Sequence, residues 1–215
     1  MTLYIICLMS YKIVVARYNE NIRWLEPELD NCIIYNKGEK LNVCNEIMLP
    51  KVGRESETYL QYIIANYSHL PDVIVFTQGR ISDCRGCGDD VRYLLYMKDS
   101  AMQYSKAQQY IRHYETDSHI DRFDREWNVI KGRYYLHDNY RNHHRVTFLK
   151  WFQEHVNENY PNPINIYPNG IFAVRKDAVL KRPIEYYEKM ITEVNHHDEP
   201  SEGHFFERSW YYIFS

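Results

Sequence analysis

The sequence predicts an α/β protein on a Rossmann-like sheet, mostly parallel and flanked by helices. Three observations predict it: three short apolar runs in the first 80 residues, helical spacing of apolar residues between them, and a composition fit for a packed core. Of 215 residues, 45% are apolar and 26% charged, with only 8 Gly and 8 Pro. That is the make-up of a globular chain short enough for one domain.

The runs are Lys12–Ala16, Cys32–Tyr35 and Val73–Phe76, each of buried-strand length and rich in β-branched residues. Between the first two, Asn19 to Leu29 reads as a short helix with Asn19 as its N-cap and Trp24, Leu25 and Leu29 on one face. Between the second and third, Tyr59, Leu60, Ile63, Ile64 and Tyr67 recur at helical spacing, after acidic residues suited to a first turn. Strand and helix alternating in this way form a parallel sheet, whose ligands lie beyond the carboxyl ends of the strands.

In the second half, a loop from Ser82 to Asp90 precedes a helix predicted from Tyr104, Ala107, Ile111 and Tyr114. Another helix is predicted from Phe148, Leu149, Phe152 and Val156. Gly170–Val174 reads as a strand, and Pro183 opens a helix with Ile184, Tyr187, Ile191 and Val194 on one face. A polar loop, Asn195 to Gly203, leads into a last apolar helix. The expected organisation is a single domain over 1–215, with a nucleotide-binding half to about residue 98 and an acceptor half from about 99.

The net charge of −3 argues against nucleic acid, because no positive field draws in a polyanion. The apolar start, MTLYIICLMSYKIVV, lacks a basic leader and falls short of the ~20 residues of a membrane span. Five cysteines, an odd number, fit a reduced, cytoplasmic setting. The 21 tyrosines suit sugars and nucleobases, or the cover of a half-wet core.

The candidate ligand residues stand at strand ends. Arg17, Tyr18, Asn19 and Glu20 follow the first strand, where backbone N–H groups meet an anion or a base; the local alternative is a helix cap by Asn19 with Glu20 in its first turn. Tyr35 and Lys37 end the second strand. Arg54 opens the next helix, where the helix dipole favours an anion; it serves either a bound phosphate or a surface pair with Glu55 or Glu57. Gln78, Gly79 and Arg80 end the third strand, and Gly79 permits close backbone approach. Beyond them Asp83, Asp89 and Asp90 offer oxygen ligands to Mg²⁺ or Mn²⁺ or serve as solvated turn acids. Cys84 and Cys87 form a lone CxxC, without the second pair of a structural zinc site. Adjacent histidines, His143–His144 and His196–His197, do not face one metal from a helix. Near the C-terminus Glu207 is the candidate general base, with Asp198, Glu202 and His204 as alternatives.

Four segments, VVARYNENIRWL, VGRESETYLQYIIANYSHLPDVIVFTQG, GIFAVRKDAVLKRP and HFFERSWYYIF, together resemble a family of viral and fungal proteins of glycosyltransferase type. Within it they are similar to chlorella-virus enzymes that act on the major capsid protein. The resemblance implies a GT-A fold with a mixed central sheet, a nucleotide-sugar donor such as a UDP-sugar, a glycan or glycoprotein acceptor, a Mn²⁺ or Mg²⁺ ion, and the host-cell cytoplasm as location. It maps the donor loop onto Ala16–Glu20, a donor-side cation onto Arg54, and an inverting enzyme's base onto the helix of Glu207. Where such enzymes carry an Asp-x-Asp metal motif, this chain reads Thr77-Gln78-Gly79-Arg80, which moves the metal to Asp83 or leaves the diphosphate to Arg80. The competing expectations are a carbohydrate-binding module without turnover and a nucleotidyltransferase, though the latter's Gly-rich first loop is missing.

Overall fold

The computed structural model describes residues 9–82, 88–103, 112–114, 148–161, 164–167, 170–200 and 202–215. Its strands are β1 (Tyr11–Arg17), β2 (Cys32–Asn36), β3 (Glu46–Met48), β4 (Val73–Gln78), β5 (Arg112–Tyr114), β6 (Ile164–Ile166) and β7 (Phe172–Arg175). The α-helices are α1 (Arg54–Asn66), α2 (Val91–Gln103), α3 (Phe148–His155), α4 (Lys176–Val179), α5 (Ile184–Ile191) and α6 (Glu202–Ile213).

The main sheet runs β3-β2-β1-β4-β7, and β5 pairs with β6 in a separate antiparallel ribbon. β1, β2, β3 and β4 are parallel, whereas β7 lies antiparallel to β4. The chain is thus a mixed α/β protein with a mostly parallel five-stranded sheet, and the three predicted strand runs are its centre.

Alternation along each strand divides the core between two faces. Val14, Ile74, Phe76, Phe172 and Val174 pack with Tyr59 and Ile63 of α1, Tyr187 of α5, and Trp210 of α6. Ile13, Val15, Ile34, Val73, Val75 and Ala173 turn the other way, onto Leu25 and onto Leu94, Met97 and Ala101 of α2. Covering both faces is what permits strands of nearly continuous apolar residues. Trp210 lies 5.6 Å from Phe172 and 5.9 Å from Tyr59, ring to ring, so the last helix completes the core under the first. The expected boundary near residue 98 falls inside α2, and β7 sits in the same sheet as β1.

Three expectations differ from the structure. The first predicted helix is a 3-10 stretch, Arg23–Asn31, interrupted by Pro27, which lacks an N–H, and by non-helical torsions at Glu28. Its N-cap position is Ile22, not Asn19. Tyr114, read as helical, lies in β5, while residues 104–111 of that reading lie outside the described residues.

Candidate functional site

A cleft of about 260 Å³ opens where the parallel strands end. Ala16, Arg17, Tyr18 and Glu20 come from the end of β1 and its loop, Lys37 follows β2, and Gln78 closes β4. Lys51, Val52, Arg54 and Glu55 come from the approach and first turn of α1, and Asp198 and Glu199 from the loop before α6. Its size is near the lower end of small-molecule sites, ~300–1,000 Å³.

Backbone constraints shape this cleft. Gly53 has φ of 66°, and a Cβ there would meet Glu57 Cβ at 2.2 Å and the Val194 carbonyl at 2.6 Å, so only glycine fits. Arg54 follows with φ of 48°, a left-handed conformation that costs a non-glycine residue about 1 kcal/mol or more. Two residues, His197 and Lys37, hold this turn in place. Gly53 N–H donates to the His197 carbonyl at 2.7 Å, tying the 195–200 loop to α1. Lys37 Nζ donates to the carbonyls of Val52 and Arg54 and ion-pairs with Glu57 Oε2 at 2.7 Å. An ammonium has three N–H bonds, so Lys37 lines the cleft but is fully engaged in building its wall. Burial lowers its pKa, and neighbouring Glu57 opposes that shift.

Arg17 is 7% exposed. Its Nε donates to the Glu20 carbonyl at 2.9 Å, and Nη1 donates to the Glu39 carbonyl and Asn36 Oδ1, both at 2.8 Å, and to the Tyr18 carbonyl at 3.1 Å. It thereby sets the path of the β1 loop. Glu20 Oε2 accepts from Tyr18 N–H at 2.6 Å and lies 2.8 Å from where a Cβ on Gly79 would stand. The absence of a side chain at Gly79 therefore admits a carboxylate from the β1 loop over the end of β4. At the rim, Lys51 Nζ lies 4.9 Å from the centre of the Tyr18 ring and 3.7 Å from Asp198.

Of the donor residues expected from sequence, Arg17, Tyr18, Glu20, Lys37, Arg54 and Gln78 line the cleft together. Asn19 instead accepts from Glu39 N–H at 2.8 Å through Oδ1. Tyr35 is buried under the sheet, edge-on to Tyr62. Gly79 backs Glu20, and Arg80 is exposed and outside the lining. Glu207 lies on α6, 3.9 Å from His204 Nδ1, and is not among the lining residues. Lys51, Val52, Glu55 and Glu199 had no sequence signal of their own; they follow only from how the loops converge.

Asp83, Cys84 and Cys87 lie outside the described residues, as do His143 and His144. Asp89 Oδ1 accepts from the N–H groups of Ile81 and Ser82, both at 2.8 Å, and Asp90 pairs with Arg92. Both acids thus close the turn. Among the described residues no three His, Cys, Asp or Glu groups gather as a cation site.

Near the 195–200 loop, Glu202 Oε2 is buried with no hydrogen-bond partner among the described residues. Burial raises the Glu202 pKa and Glu193 adds to it, while the charge of His196 acts the other way.

The cleft lies beyond the carboxyl ends of the parallel strands, the place where open α/β sheets take their ligands. Residues 13–215 match the family described as Protein of unknown function (DUF3431), and the chain belongs to that family. Neither the curated proteins nor the solved structures hold a significant match to it. No helix among the described residues is long and apolar enough to cross a membrane.

Proposed function

We propose that the chain is an inverting glycosyltransferase of GT-A type that takes a nucleotide-sugar, such as a UDP-sugar, and passes its sugar to a hydroxyl of a glycan or glycoprotein. The observation that carries this reading is the convergence of Arg17, Tyr18, Glu20, Arg54 and Gln78 on one cleft at the carboxyl ends of β1 and β4. Antiparallel β7 beside β4 supports the mixed sheet of that fold.

In this reading α1 presents the positive end of its dipole and Arg54 to the diphosphate. Glu20 accepts a hydroxyl of the ligand. The base is Asp198, because it lines the cleft and Glu207 does not. The acceptor oxygen attacks the anomeric carbon as its proton passes to the Asp198 carboxylate, and the bond to the nucleoside diphosphate breaks on the opposite face. The leaving diphosphate takes the electron pair and the sugar inverts.

A second reading, a carbohydrate-binding module without turnover, is favoured by Thr77-Gln78-Gly79 at the end of β4 in place of paired carboxylates. One assay separates the two. A panel of UDP-sugars is incubated with the chain and candidate glycans, with and without Mn²⁺, and free UDP is measured. The transferase reading expects UDP release by one donor and a raised melting temperature with that donor. Failure of every nucleotide and nucleotide-sugar to shift melting would overturn it.

A further inference from the structure

Charge accounting in the cleft singles out one cation. Lys37 is paired with Glu57, Lys51 lies 3.7 Å from Asp198, and Arg54 lies 3.6 Å from Glu55. Arg17 has no acidic partner within ion-pair distance among the described residues, although it is the most deeply buried of the three that are not tied to Glu57. Its four hydrogen bonds leave from Nε and Nη1 and end on three carbonyls and an amide oxygen, all neutral. Nη2 makes none with a described atom, and Arg17 is among the residues that line the cleft. A guanidinium held only by neutral acceptors has no negative charge set against it, and an anion in the cleft would supply one.

We propose that Arg17 is the buried anion anchor of the cleft, acting beside Arg54 at the start of α1: Nη2 binds the diphosphate of the ligand directly, and the nucleotide binds without a divalent cation. The geometry favours this because the neutral acceptors fix Nε and Nη1 in advance, so ordering the side chain costs little on binding. The inference rests on the nucleotide-sugar reading for the organic part of the ligand, and on Arg17 for the position of its charge.

The test is calorimetry on the full chain in chelator, with inorganic pyrophosphate, UDP and uridine as probes. Wild type is expected to bind pyrophosphate, and to bind UDP more tightly than uridine. In Arg17→Gln the UDP affinity falls about 10- to 100-fold, the scale of a charge-assisted hydrogen bond, while uridine affinity holds. Because Arg17 also shapes the β1 loop, Arg17→Lys is measured beside it, with circular dichroism to verify folding. That variant keeps the charge but not the fork, and its UDP affinity falls by a smaller factor. Equal affinity for UDP and uridine, an unchanged UDP-to-uridine ratio in both variants, or UDP binding only after Mn²⁺ is added overturns the proposal. Pyrophosphate binding that Arg17 variants abolish, with UDP no tighter than pyrophosphate, keeps the anchor and sinks the nucleotide reading. No binding by any probe sinks both.

Discussion

Lys37 Nζ stands 2.7 Å from Glu57 Oε2, and each side chain is only 7% exposed, so the end of β2 is fastened to the first turn of α1 by an ion pair that water barely reaches. Removing one partner strands the other. Lys37→Met is expected to cost about 3–5 kcal/mol in urea unfolding. Joint replacement, Lys37→Met with Glu57→Leu, costs less than Lys37→Met alone, since no buried charge is left unpaired. Equal losses in the two would show that the pair is not coupled.

Gly79→Ala tests how Glu20 is placed. The new Cβ lies 2.8 Å from Glu20 Oε2, the end of a side chain that moves aside, and Gly79 has no positive φ. Melting should change little, while affinity for a UDP-sugar falls roughly tenfold to a hundredfold, the scale of one hydrogen bond to a charged acceptor. Unaltered affinity would remove Glu20 from ligand binding.

For the base, Asp198→Asn should lower turnover by about 10²–10⁴ with donor affinity nearly constant. Glu207→Gln, outside the cleft lining, should leave turnover within a few-fold of wild type. The reverse pattern would return the role to Glu207.

Thiol labelling reads burial directly. Burial pushes the Cys32 thiol up to about 12, and the side chain is 1% exposed, whereas Cys44 is exposed. Only the thiolate alkylates. At pH 8, peptide mapping after iodoacetamide should find Cys44 modified and Cys32 protected until denaturant is added.

Glu202 gives a pH signature. Its folded pKa is raised, so between the unfolded value near 4.5 and that raised value the native state holds the extra proton. Wild-type stability therefore falls as pH rises through this window. Glu202→Gln cannot lose the proton, so its advantage over wild type should be absent below about pH 4, grow through the window, and level off above it. A difference that is flat from pH 4 to 8 would contradict the shift.

The central strands were legible because Ile13–Val15 and Val73–Phe76 are apolar on both faces, a pattern that only a covered sheet tolerates. α2 is not among the expected elements although Leu94, Met97 and Ala101 recur at helical spacing after Asp90; Arg92, Lys98 and Asp99 break up its apolar pattern. β3 has three residues with Ile47 and Met48 half-exposed, too short and too wet to show a period. In the site, residues at strand ends were found by topology. Lys37 illustrates the limit: its position was legible, its partner Glu57 twenty residues on was not, and that partner makes it a wall rather than a ligand. Asp198 and Glu199 reach the cleft through the hydrogen bond from Gly53 to His197, a contact that no local pattern announces.

The order in which the sheet is assembled bears on how the chain is made. β4 sits between β1, which precedes it, and β7, which is translated long after it. While the ribosome works through the second half, Ile74 and Phe76 belong to a strand with one open edge, and Tyr59 lacks the cover of Phe172 and Trp210. Through that interval the nascent polypeptide offers a sticky, unfinished edge, the kind of surface that invites aggregation or chaperone capture. A premature stop ahead of α6 would leave that core uncapped, so even short C-terminal truncations should yield insoluble product.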